Sequence, residues 1–282
     1  MRFRTGARLG VAAGRGDLHV GIAQSALGYV LTSLGAVLVL LARDLDLPVA
    51  RLAWLSSAFG IGLLVAAAAG PLVLQAGPRP ALRAGALTAA AGACLLAGAS
   101  TLPLAAAGGL LFGFGGAFLV LVTPALVSGP AAAARLTRVN AASSTAAVLA
   151  PLALGGLDAL GPSGRLALLV CVPPLLLLAA SPPPAGPTWT AEQTRVHYGG
   201  AASGSGRQPL ARLQVLSRWA RVVLAVGVEF CFAVWAVARL QDTGVPAATA
   251  ATLGSSFPRA WHWADWPVLA WSIGSPPCRS AP

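Results

Sequence analysis

The chain of 282 residues contains no lysine, and all nineteen of its basic residues are arginine. Without Lys there is no P-loop, HExxH is absent, and no GxSxG elbow has partner residues, so no enzyme constellation is present. Cysteine is sparse: Cys94, Cys171 and Cys231 sit inside apolar runs and Cys278 lies in the terminal tail. With no CxxC pair they outline neither a disulfide framework nor a zinc site, and no metal or cofactor is expected. Charged residues make up only 10% of the chain against 56% hydrophobic, with a mean hydropathy of +0.75, which leaves too little polar surface to coat a soluble globule. The net charge of +11 would suit nucleic acid, but the arginines are scattered between apolar runs without a basic stripe or interleaved aromatics, which argues against that partner.

What the sequence does have is apolar stretches of bilayer length. Crossing a hydrocarbon core of about 30 Å takes roughly 17 to 25 apolar residues. Seven stretches qualify: Val20 to Leu41, Leu52 to Leu74, Leu82 to Ser100, Leu104 to Val127, Ala141 to Leu160, Arg165 to Ala180 and Arg221 to Leu240. The sixth is short and carries Pro173 and Pro174. The first is too long, and followed by too many others, to be a signal peptide. Residues 181–214 are rich in Pro, Gly and Ser without apolar period and read as a cytoplasmic linker between two bundles.

Orientation follows from arginine, which cytoplasmic loops retain. With the N-terminus inside, the inside segments hold Arg2, Arg4, Arg8 and Arg15, then Arg79 and Arg83, then Arg135 and Arg138, then Arg195, Arg207, Arg212, Arg218 and Arg221. On the other side Arg43 and Arg51 are offset by Asp44 and Asp46, the loop around Thr101 is uncharged, and Arg165 faces Asp158. The expected location is the cytoplasmic membrane, multi-pass, with a cytoplasmic N-terminus and a lipid bilayer as surroundings. A seven-helix receptor would need the N-terminus outside, against the arginine distribution.

Small residues indicate helix packing: Gly109, Gly113, Gly115 and Gly116 give the fourth span a surface that another helix can approach closely. In the second-to-third loop, Gly70, Leu72, Gly77 and Arg79 keep the spacing of Gly-x-Leu-x-Asp-Arg-x-Gly-x-Arg. Leu74 and Gln75 stand where that pattern has Asp and Arg. Together with six spans, a long inside loop, a new span and the run from Asp44 to Gly62, this motif resembles the major facilitator superfamily of transporters. The resemblance extends over most of residues 20–258. It implies an all-α membrane fold: a six-helix bundle over 1–180 made of two three-helix repeats, then the linker, then a seventh helix within 215–258 opening a second bundle. It also implies secondary active transport of a small solute by alternating access, a solute-binding cavity near the midplane, and a monomeric protein.

Candidate cavity residues come from polar positions within spans. Ser25, Tyr29 and Ser33 recur at spacings of four on one helical face, with Gln24 and Thr32 alongside, and Asn140 and Ser144 form a second stripe. They could bind a sugar-like or drug-like solute, or hydrogen-bond within and between helices. Glu229 lies eight residues past Arg221, about 12 Å along a helix and near mid-bilayer. A carboxylate there serves either proton or cation coupling, solute binding, or a structural hydrogen bond between helices.

After Pro258 the chemistry changes. Residues 259–282 carry Trp261, Trp263 and Trp266 without membrane-helix character. A shifted reading frame from about that point is one expectation, since freely chosen codons read one base earlier can spell Gly-Met-Ala-Leu-Gly-Arg-Leu-Ala; an interfacial aromatic tail is the other. On the first expectation the chain is a truncated, transport-incompetent membrane protein or an interaction factor.

Overall fold

The computed structural model describes residues 4–75, 77–127, 132–161 and 163–181, together with parts of 217–253, of which 235–246 are continuous. The expected linker beyond Ser181, Glu229 and the tail from 259 lie outside the described residues. Those described form helices and no strand: α1 (Arg4–Asp44), α2 (Ala53–Gln75), α3 (Pro78–Ala97), α4 (Leu102–Leu126), α5 (Ala132–Ala159) and α6 (Val172–Ala180). Short 3-10 segments precede α2 (Val49–Leu52) and α6 (Gly164–Cys171). Helical turns at 235–242 follow on the far side of the linker.

Among the described residues, four helical stretches are long and apolar enough to cross a membrane: Leu18–Asp44, Pro78–Ala97, Leu102–Thr123 and Ala134–Ala159. Trp54–Gly70 in α2 and Gly164–Ala180 are shorter apolar stretches. Pro173 and Pro174 lack the N–H groups that would extend α6 backwards, so regular helix starts at Val172 with proline in its first turn. The eight residues before it are 3-10. Because a 3-10 helix rises more per residue, the 17 residues from Gly164 to Ala180 together span about 30 Å, close to a hydrocarbon core. Large apolar side chains stand exposed on α2 (Trp54, Leu64, Leu72) and around α6 (Val170, Leu177), a surface suited to lipid rather than water.

The contact register is regular. Gly28 meets Ser143, Thr32 meets Ala147 and Arg43 meets Asp158, a constant offset of 115 residues, so α1 and α5 run parallel and in step. Likewise α2 and α4 run parallel, with Leu55 against Gly109 and Phe59 against Gly113. The short α3–α4 connection forces an antiparallel pair, in which Gly92 meets Phe112 and Gly85 meets Phe118. Further contacts join α3 to α6, α1 to α4, α1 to α6, α2 to α3, and α5 to the 3-10 segment before α6. Exchanging α1, α2 and α3 for α4, α5 and α6 turns α1–α5 into α4–α2 and α3–α4 into α6–α1, maps α1–α4 and α3–α6 onto themselves, and sets α2–α3 against the contact of α5 with the 3-10 segment that leads into α6.

Helix α4 is the hub. A Cβ at Gly109 would lie 2.8 Å from Leu55 Cδ1, one at Gly113 would collide with the Phe59 carbonyl, and one at Gly115 with the backbone of Ala89. Gly116 turns the other way, where a Cβ would lie 3.5 Å from Leu27 Cδ1 of α1. Backbones this close gain dispersion along their whole length, which is how helices adhere when lipid removes the hydrophobic incentive. Phe59 and Phe112 fill the space beside the glycines edge to face, with centroids 6.5 Å apart. The helical turns at 235–242 pack Val237 and Ala238 against Val39 near the end of α1.

Candidate functional site

The polar face expected along α1 divides in space, because successive helical residues point about 100° apart. Gln24 is buried and its Nε2 donates to the Thr123 hydroxyl of α4, which in turn donates to the Leu119 carbonyl at 2.8 Å. Ser33 is fully buried and donates to the carbonyl of Val30 in its own helix at 2.9 Å. Ser25 and Tyr29 instead line a groove of about 440 Å³ between α1, α5 and α6, together with Ala142, Ala146, Val170 and Pro174. The Tyr29 hydroxyl donates to the Ala167 carbonyl at 2.8 Å, in the 3-10 segment before α6. Asn140 is exposed and Ser144 half-buried on α5, and neither lines the groove.

The loop motif resolves into separate tasks. Gly77 sits between α2 and α3 with φ 107° and ψ 162°, a backbone conformation essentially restricted to glycine. Gly70 lets α2 approach Leu121 of α4, where a Cβ would come within 2.9 Å of a Leu121 methyl. Leu72 and Arg79 are exposed.

A charged cluster closes the end of the bundle where α1, α3 and α5 finish. Arg43 grips Asp158 with both terminal nitrogens, at 2.7 and 2.8 Å, and donates to Asp44 from Nε and Nη2 at 3.0 and 2.9 Å. Arg165 Nε stands 2.7 Å from the other oxygen of Asp44, and its Nη1 donates to the Ala99 carbonyl beyond the end of α3 at 2.6 Å. Ser163 and the Gly164 amide complete the two carboxylates at 3.3 Å each. The pairing differs from the sequence expectation, which set Arg165 opposite Asp158. The parallel register of α1 and α5 delivers Arg43 to Asp158, leaving Arg165 to Asp44. Four chain segments are thereby tied at one level, and the bidentate pair fixes their orientation as well as their distance.

Beside this cluster a pocket of about 590 Å³ is lined by Val39, Arg43, Asp46, Leu47, Pro48 and Gln241. The end of α1 thus meets Gln241 of the 235–242 helical turns across this pocket, where Arg43 remains half-exposed. Among the described residues no group of three His, Cys, Asp or Glu side chains is placed to hold a metal ion. What the arrangement offers chemically is hydrogen bonding and ion pairing. The chain matches no protein-family model and no curated protein.

Proposed function

We propose that this chain is a secondary active transporter of a small solute, of the major facilitator kind, working by alternating access in the cytoplasmic membrane with its N-terminus inside. The observation that carries this reading is the exchange pattern of helix contacts: α1 against α5 answers to α4 against α2, and α3 against α4 answers to α6 against α1. Two three-helix repeats related in this way are a common plan of secondary transporters. The cluster at Arg43, Asp44, Asp158 and Arg165 supports the reading further, because a bundle tied at one end can rock as a unit against a second bundle. The seventh helix, packed at the α1 end, is read as the opening of that second bundle.

Ser25 and Tyr29 are the proposed solute contacts of the six-helix bundle, Gln24, Ser33, Asn140 and Ser144 lie outside the groove that these two line, and Glu229 couples transport to protons. The test is uptake of labelled sugars and amphipathic cations by proteoliposomes under an imposed proton gradient. The expected result is saturable flux that Glu229→Gln uncouples from the gradient. Absence of saturable flux for every solute tried, with correctly inserted protein, would overturn the proposal in favour of an interaction factor.

A further inference from the structure

Helix α5 carries Pro151 in its interior. Proline has no N–H, so the carbonyl four residues earlier, that of Ala147, loses its partner within the helix. In an apolar bundle an orphaned carbonyl is costly, and neighbouring Ser or Thr side chains commonly satisfy it. Here Thr32 of α1 does so, its hydroxyl lying 2.8 Å from the Ala147 carbonyl. The same hydroxyl lies 2.9 Å from the carbonyl of Gly28, one turn back in its own helix. A hydroxyl has one proton to donate. It can serve either carbonyl strongly, but not both at once.

We infer that Thr32 is a two-position latch on the Pro151 turn of α5. Donating to Ala147, it holds the proline-weakened turn against α1. Rotated to Gly28, it stays satisfied while α5 flexes at that turn, so release leaves one carbonyl short rather than a carbonyl and a hydroxyl. The turn after Pro151 holds Gly155, which is buried, and Gly156, which is exposed and where a Cβ would meet nothing within 4 Å, so the outer side of this turn is unobstructed. On either side α5 is fixed to α1, below by the close approach of Gly28 to Ser143 and above by the grip of Arg43 on Asp158. The latch therefore acts on a short span between two anchored levels. This inference stands on α1 and α5 alone and does not rest on the transport proposal.

A double-mutant cycle on the full chain in detergent micelles tests it, read by thermal unfolding and by hydrogen exchange of α5 amides at 152–156. Thr32→Val removes the hydroxyl while keeping the shape. It is expected to speed exchange at 152–156 roughly 3- to 10-fold, the range for one interhelical bond to a carbonyl left otherwise unpaired. Thr32→Ser is expected to restore the parent rate. Pro151→Ala gives Ala147 its own partner, and in that background Thr32→Val should leave exchange unchanged. Should Pro151→Ala fail to fold, Pro151→Leu supplies the same N–H. Equal effects of Thr32→Val with and without Pro151, or no effect in the parent, would overturn the latch.

Discussion

The middle of the bundle and its α1 end are held by opposite means. In the middle, α4 brings its glycines against Leu55, Phe59 and Ala89, and the polar groups present are spent on single hydrogen bonds such as Tyr29 to Ala167. At the end, four charged side chains and the Ala99 carbonyl do the joining. The difference teaches where each kind of force is usable. Charges need water nearby to offset their desolvation, so they gather where three helices finish. Deep in the apolar slab the cheapest adhesion is close backbone packing, so side chains shrink to hydrogen.

Substitutions can break this contrast at either level. The largest effect is expected in the middle: Gly113→Leu pushes a side chain into the Phe59 carbonyl and must part α2 from α4, costing upwards of about 3 kcal/mol. Loss of the monodisperse folded peak in detergent, or a large drop in melting temperature, would report it. At the end, Asp44→Asn removes the carboxylate shared by Arg43 and Arg165, and about 2 kcal/mol is expected from the lost charge-assisted bonds. The melting temperature of the parent should fall as salt is raised, and that of the variant should fall less, because the cluster is partly exposed. The smallest effect is expected at the turn between α2 and α3, where Gly77→Ala forces a methyl group into a positive φ at a cost of about 1–2 kcal/mol. Thermal melts of that variant should be salt-independent relative to the parent, which separates backbone strain from charge.

The fold was legible to different depths. Four membrane-length helices among the described residues follow from apolar length, whereas Gly77 was marked only by the spacing of the loop motif and its positive φ emerged with the structure. The 3-10 start of the sixth span was signalled only by Pro173 and Pro174, which mark an irregularity without saying how it is resolved. Candidate site residues were harder, because a spacing of four fixes a face but not the neighbour it meets. Gln24 and Ser25 adjoin in sequence, yet one reaches Thr123 and the other opens on the groove. The pairing of Arg43 with Asp158 depends on the register of two helices 115 residues apart, which no local pattern encodes. Thr32 was placed alongside the polar face of the first span, but its acceptor on α5 escaped for the same reason, although Pro151 in an apolar run was the available signal that some carbonyl would need a donor.

By itself the sequence determined that this chain is helical and apolar along bilayer-length stretches, since hydrophobic length and glycine or proline placement act over a few turns of one segment. Only the tertiary structure decided which helices run in step, which arginine takes which aspartate, and whose hydroxyl answers the proline in α5. Those choices depend on the approach of surfaces distant in the chain, where a shift of one residue in register would have joined different atoms.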